Sequence, residues 1–431
     1  MINFIIKNSS IKTFILAFYI AINLLGFGQD LETKRFIKTL CSDEFHGRGY
    51  VNNGDNIAAD YIAKTFDEIG LSNSNGSYFQ EFSFPVNTFP GEMLVKINNK
   101  ELTPGIDFIV DASSTGGEYH LTPIFINGSD LLSKNKIQTL FNNTTSFKSQ
   151  IFIIKNTGYS VDSTKKIKQQ IKVLNQLAAI AEITNEKFIW SVGRQITRFP
   201  ILKLKESSLP KNIKTLDLKI DQKFLNNHRS KNVIGYLPSK RKNAKSIVFS
   251  AHYDHLGRMG KDIYFPGAND NASGTGMLVH LAKYFIKNRS KYNIYFMAFA
   301  GEEAGLLGSQ YFTQNPILDL KKIAFVLNLD IMGSGEEGIT VVNGRVHKKA
   351  FNKLLRLNKK GQYLSSIKAR GESANSDHYW FSQQGVPAFF IYTRGNNKHY
   401  HDIFDTYEEL TFDSFEAIAN LLVKFTKTCL K

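Results

Sequence analysis

Beyond Asn232 the chain settles into short apolar runs separated by stretches of helical spacing. The run Ser246 to Ser250 leads to a helical pattern over Gly276 to Phe285, and Asn293 to Phe299 and Ala324 to Leu329 are further runs. A helical stretch near His347 to Leu357, the run Ala388 to Tyr392 and a closing helix from Phe412 to Cys429 complete the series. Near-continuous apolar strands alternating with amphipathic helices predict an α/β fold, a mostly parallel central sheet flanked by helices. Asp30 to Leu71 predicts mostly helix, because Ile57, Ala58, Tyr61, Ile62, Phe66 and Ile69 recur with a period of about 3.6. Gly70 stands where a helix-ending glycine belongs. From about Ser83 to His228, β-rich runs such as Met93 to Ile97 and Ile151 to Ile154 alternate with Asn, Ser and Gly turns, which predicts a β-rich inserted subdomain. The expected division is a leader over 1–28, a helical N-terminal part over 29–82, an insert over 83–228 and the main α/β region over 229–431.

The leader is read from Lys7 and Lys12, followed by the uncharged apolar run Thr13 to Gly28 and small residues at alternate positions in Gly26-Phe27-Gly28. A retained anchor fits less well, since the run falls short of about 20 apolar residues and contains Asn23. Export to a periplasm or the cell exterior follows, with no stable membrane insertion after cleavage. In such a compartment Cys41 and Cys429 could pair and tie the two ends of the mature chain together; two unrelated buried thiols are the equal alternative.

Composition changes this picture little. With 431 residues, 42% apolar and 21% charged, the chain is long enough for a large core or two domains. The net charge of +16 is spread out, and its densest short run, Ser239 to Lys245, is brief. A solvated basic surface is therefore expected rather than a nucleic-acid partner.

The chemistry sits where the strands end. Ser246 to Ser250 runs into Ala251-His252-Tyr253-Asp254-His255, the next run gives Gly301-Glu302-Glu303, the third ends in Asn328-Leu329-Asp330, and Ala388 to Tyr392 precedes His399-Tyr400-His401-Asp402. In an open parallel sheet these ends share one edge. Asp270, in the polar loop Gly267 to Gly274 just before a helix, can reach the same edge. Histidines plus carboxylates are the donor set for zinc or a related divalent ion, and five ligands suit two ions better than one. If Asp270 bridges, His252 and Asp330 complete one ion while Glu303 and His401 complete the other; chain order alone does not fix the pairing. Adjacent carboxylates leaving a strand then divide their labour, Glu303 as ligand and Glu302 as the base that takes a proton from water. Asp254, two residues after His252, can accept the other imidazole N–H and hold the ring for metal binding.

At these residues the chain resembles metallopeptidase family M28 of clan MH, the dizinc aminopeptidases. The likeness rests on S-A-H-Y-D-H-L-G from Ser250, G-A-N-D-N-A-S-G-T-G from Gly267, F-A-G-E-E-A-G-L-L-G-S from Phe299, N-L-D-I-M-G from Asn328, S-D-H-Y-W-F from Ser376 and H-Y-H-D-I-F-D-T from His399. D-E-F-H-G-R-G at Asp43 to Gly49 is similar to the N-terminal portion of that family. The resemblance implies a zinc-aminopeptidase fold with 229–431 as the catalytic region, and two zinc ions held by His252, Asp270, Glu303, Asp330 and His401 with Asp270 bridging. It makes Glu302 the general base, Asp254 the residue orienting His252, and Tyr400 an oxyanion-stabilising tyrosine. His255, His378 and His399 are expected at the rim or in packing. The middle segment is similar to the protease-associated insert of some members. The implied activity is hydrolysis of N-terminal residues from peptides with free N-termini. Glutaminyl cyclase-like acyl transfer or carboxypeptidase activity on the same fold are the alternatives.

Overall fold

The computed structural model describes residues 31–74, 76–142, 147–155 and 160–428. The leader expected over 1–28 and the Cys429 half of the expected bridge lie outside the described residues. Among the described residues Cys41 has no disulfide partner, and it is buried.

The four strands Asn293–Phe299, Ser246–His252, Ile323–Asp330 and Ala388–Thr393 lie side by side in that order, all parallel. Every residue of Ser246–His252 and of Ile323–Asp330 is buried, as the unbroken apolar text requires of strands covered on both faces. The sheet continues through Ile339–Val342, antiparallel to its neighbour, and Ile367–Ala369 on one side. On the other side lie the long strand Lys223–Leu237 and then Phe79–Thr88, both antiparallel to their neighbours.

One face carries the helices 31–40, Gly54–Ile69, Ser273–Lys287 and Phe415–Thr428, whose apolar sides form a single core with the sheet. Ser273–Lys287 approaches helix 31–40 closely at Gly276, where a Cβ would stand 2.4 Å from Ile37 Cγ1, so only glycine fits that crossing. On the opposite face Phe299, Phe312, Phe381 and Val326 pack together beneath the short helices Leu307–Gln314 and His378–Gln383.

A second eight-stranded sheet is built entirely from residues between Met93 and Ile220. Its extent departs from the expected insert, 83–228, because Phe79–Thr88 and Lys223–Leu237 form a ribbon of the first sheet. Strand periodicity does not say which sheet a strand joins. The insert also holds the helices Lys134–Asn142 and Val161–Leu174, the latter burying Ile167, Ile171 and Leu174 against the sheet. On the other face of this sheet, Leu256, Met259 and Phe265 reach in from the loop that follows His252 and pack among Phe89, Val95, Phe108 and Trp190. The loop next to the candidate site thus has its apolar anchors inside the insert.

Candidate metal centre

Register sets the height of the strand ends. His252 pairs with Phe299 and Ser250 with Asn328, so His252 and Asp330 finish level and Glu302-Glu303 follows within one short turn. Asp270 stands in the irregular turn Ala268–Ala272 that starts helix Ser273–Lys287. His401 lies in the loop after Ala388–Thr393, with φ at 56°.

The five side chains expected as ligands come together. His252 Nε2 is 3.3 Å from Asp270 Oδ1 and 3.4 Å from Asp330 Oδ1. His401 Nε2 is 3.1 Å from Asp270 Oδ2 and 3.3 Å from Glu303 Oε2. Donors about 2.0–2.2 Å from one ion in a tetrahedral shell stand about 3.4 Å from each other, so these separations suit a shared cation. Asp270 offers a different oxygen to each histidine. Asp330 Oδ1 is buried without a well-formed hydrogen bond, an acceptor that a cation would satisfy. Metal-compatible groupings also include His252 with Glu302 and Glu303, and His255 with Asp270 and Glu303. The donor set therefore fits divalent metal.

The electrostatics agree. Burial works against charge on the imidazoles, yet the surrounding carboxylates outweigh it, holding His252 well above its ordinary range and His401 at about 11. Burial likewise pushes Glu303 upward, but the His401 charge, aided by bonds from His255 and His401, brings its carboxyl down to about 2. Asp270 falls well below the ordinary carboxylate range, the bonds from His252 and His401 overcoming its burial. The shifts share one cause, a buried cluster of carboxylates that demands positive charge, which a bound cation would supply. Glu302 shifts the other way, raised well above the usual value by burial against the weaker pull of His252 and with the repulsion of Glu303 added.

Both histidines of the cluster are aimed by backbone. His252 Nδ1 donates to the Asp254 carbonyl oxygen at 3.1 Å, and His401 Nδ1 donates to the Trp190 carbonyl oxygen at 3.1 Å, which turns each Nε2 toward the carboxylates. This corrects the expected role of Asp254, whose nearer carboxylate oxygen lies 3.9 Å from His252 Nδ1. The Asp254 carboxylate instead accepts the Tyr50 hydroxyl at 2.6 Å and the amides of Glu302 and Glu303 at 3.2 Å each. It holds the turn that presents the two glutamates. Burial brings it up to about 6.

His255 takes the packed alternative of the two expected for it: it is fully buried, and its Nδ1 lies 3.0 Å from Glu303 Oε1. A Cβ on Gly267 would stand 2.3 Å from the His255 ring, so this glycine makes room for it. His378 is buried against Phe390, and His399 is half-buried beside Asp402. Tyr400 is half exposed, its ring stacked 3.8 Å from that of His401, and burial next to the acids raises its hydroxyl, which stays protonated.

Three positioning groups carry no sequence signal of their own. Asp405 accepts the amides of Asn269 and Asp270 at 2.9 Å and 3.0 Å. Arg48 is wholly buried and donates to the carbonyls of Tyr253, Leu40, Pro266 and Gly267 at 2.8, 3.0, 2.6 and 2.6 Å, holding the chain on both sides of the site. From the insert, the Trp190 amide donates to the His401 carbonyl at 3.0 Å and Lys187 pairs with Asp402 at 2.7 Å. Asp405 and Arg48 do fall inside the motifs H-Y-H-D-I-F-D-T and D-E-F-H-G-R-G; nothing in the text marks Trp190.

The pocket over these residues has a volume of about 150 Å3 and is also lined by Ile331, Arg370, Asn375, Phe390 and Tyr392. No described helix is long and apolar enough to cross a membrane.

The family model of Peptidase family M28 matches residues 232–426. A protein named probable leucine aminopeptidase from Trichophyton verrucosum is 29% identical over 220 residues, 47% of this chain and 57% of that protein. Aminopeptidase YwaD of Bacillus subtilis is 29% identical over 212 residues, 46% of this chain and 45% of that protein. The chain thus spans about half the length of the curated relatives it matches. Among solved structures, a zinc aminopeptidase from Bacillus subtilis superposes with a TM-score of 0.69 at 20% identity, covering 93% of this chain and 94% of its own. An aminopeptidase from Aneurinibacillus gives 0.61 at 19% identity, with 91% and 92% covered. The fold is the one those enzymes share.

Proposed function

Because the chain belongs to Peptidase family M28 through residues 232–426, we propose that it is a metal-dependent aminopeptidase removing N-terminal residues from peptides. The observation that carries this reading is the shared carboxylate. Asp270 faces His252 with one oxygen at 3.3 Å and His401 with the other at 3.1 Å, an arrangement suited to two zinc ions. His252 and Asp330 would hold one ion with Asp270, and Glu303 and His401 the other. Bound there, the ions supply Lewis-acid polarisation of the scissile carbonyl and make a water easier to deprotonate.

The protein groups do the rest. Glu302, lining the pocket beside Glu303 with its amide held by Asp254, accepts the proton of the attacking water and passes it to the leaving amine nitrogen. The Tyr400 hydroxyl, protonated at the pocket wall, donates to the oxyanion. Asp254 fixes the backbone of both glutamates, so that base and ligand keep separate aims. The acidic floor suits a substrate's free ammonium group. Export by the 1–28 leader, into a periplasm or out of the cell, is part of the proposal, and the mature N-terminus read by mass spectrometry tests it.

Glu302→Gln is the decisive variant. Metal content, measured by elemental analysis, should stay at up to two ions per chain, and peptide turnover should fall by about two to four orders of magnitude. Near-normal turnover would remove Glu302 from this role. Saturation at one ion would favour the cyclase-like chemistry. Peptides with free and blocked ends, followed by mass spectrometry, report which end is attacked.

A further inference from the structure

The pocket that holds the expected metal ligands is also lined by a cation that the mechanism leaves unused. Arg370, one residue past strand Ile367–Ala369, lines it together with Asn375 and Tyr392. Its guanidinium donates to the Tyr392 hydroxyl at 3.1 Å, and among the described residues it forms no ion pair with a carboxylate. The remaining charged groups of the pocket are the five ligands and Glu302, all committed to metal or proton transfer. Ile331 and Phe390 supply apolar wall between the two polar ends.

The geometry points to a carboxylate of the substrate as the partner of Arg370, with the Asn375 amide and the Tyr392 hydroxyl beside it. The inference rests on the peptidase reading above and narrows it to peptides bearing a negative charge close to the bond that is cut. A guanidinium offers a planar fork of donors matched to a carboxylate, and peptides present that group either as an acidic side chain or as a C-terminus. A pocket of about 150 Å3 holds roughly one residue, so the carboxylate belongs to the first residue or to the one directly after it. Arg370 is exposed, which leaves its fork accessible and also limits the strength of the contact.

The test uses the metal-loaded full chain, as wild type, Arg370→Ala and Arg370→Lys, with two pairs of peptides that each differ by one charge. Leu-Leu against its C-terminal amide reports a terminal carboxylate, and Glu-Leu amide against Gln-Leu amide reports a side chain. Within one pair the wild type should favour the charged member by about tenfold in kcat/KM. That ratio should collapse toward one in Arg370→Ala and be partly kept in Arg370→Lys, and the pair that shows it identifies the source. Equal ratios in wild type and Arg370→Ala, or no preference in either pair, overturn the assignment while leaving the peptidase reading standing. If the wild type cleaves none of the four, the peptidase reading falls instead. Calorimetric binding of the same peptides then decides for Arg370: tighter binding of a charged member, lost in Arg370→Ala, supports it, and equal binding overturns it.

Discussion

Replacing Arg48 with Met should be among the most destabilising single changes in the chain, and the structure gives its size. The guanidinium is completely buried and satisfies four carbonyl oxygens, those of Tyr253, Leu40, Pro266 and Gly267. Methionine fills similar space but donates nothing. The Gly267 oxygen keeps the Ala272 amide at 3.1 Å, so three carbonyls, those of Tyr253, Leu40 and Pro266, lose their donor. Each left buried in that state costs at least about 1 kcal/mol, or about 3 kcal/mol for the three. Relief comes from no longer burying a cation, which burial already disfavours. A net loss of about 2 kcal/mol is expected. Arg48 sits at a φ of 48°, a strain that any substituted side chain bears equally, so it cancels from the comparison. Urea denaturation of metal-free protein, followed by tryptophan fluorescence, measures the loss. Arg48→Lys, which keeps the charge but cannot span four carbonyls, should fall between Met and wild type. Because two of the carbonyls belong to Pro266 and Gly267, just before Asp270, metal affinity should drop in the same order. A Met variant within about 0.5 kcal/mol of wild type would refute the reasoning, since three orphaned carbonyls could not cost so little.

Four other expectations follow from the structure. Trp190→Ala removes the ring stacked 4.7 Å from Phe265 and slackens the segment that grips His401; stability should fall by about 3 kcal/mol, and competition titration with a chelator should show one ion released more readily than the other. The Cys41 thiol, which burial pushes up to about 12, should resist alkylation at pH 8 in the native chain and react fully in urea, read by peptide mass mapping. Above pH 9 the unfolded chain ionises this thiol while the folded chain keeps its proton, so stability should decline with rising pH by up to about 1.4 kcal/mol per unit from this group, and Cys41→Ala should flatten that part of the profile. Gly276→Ala should cost about 1–3 kcal/mol by urea denaturation, because the new Cβ at 2.4 Å from Ile37 forces two helices apart.

The strand ends were legible because burial on both faces writes an unbroken apolar run, and the residue that ends each run is the one the sheet edge presents. His252, Glu303 and Asp330 follow from that reasoning, His401 from the loop after the fourth run and Asp270 from the polar loop before a helix, and the structure brings the five side chains together. Asp254 shows the limit of such reading. Its spacing from His252 suggests a carboxylate–imidazole bond, but the carbonyl of the same residue takes the imidazole N–H and the carboxylate turns to the glutamate amides. Two residues of separation cannot choose between these acceptors. For His255 the sequence left rim and packing both open, because its burial depends on space left by Gly267, a contact that no local pattern encodes. The insert's limits were misjudged because the ribbon Phe79–Thr88 with Lys223–Leu237 carries the same alternation as the sheet beyond it. Trp190 was invisible since it acts through its peptide groups, which every residue possesses.

That contact between residue 190 and residue 401 bears on how the molecule can be cut and when it is complete. The stretch recognised as Peptidase family M28 starts at 232, so a fragment trimmed to it keeps all five donors yet loses the peptide groups that aim one of them. During synthesis the insert emerges long before His401 does. The centre is therefore complete only once His401, made last of the five, has met the peptide groups of residue 190.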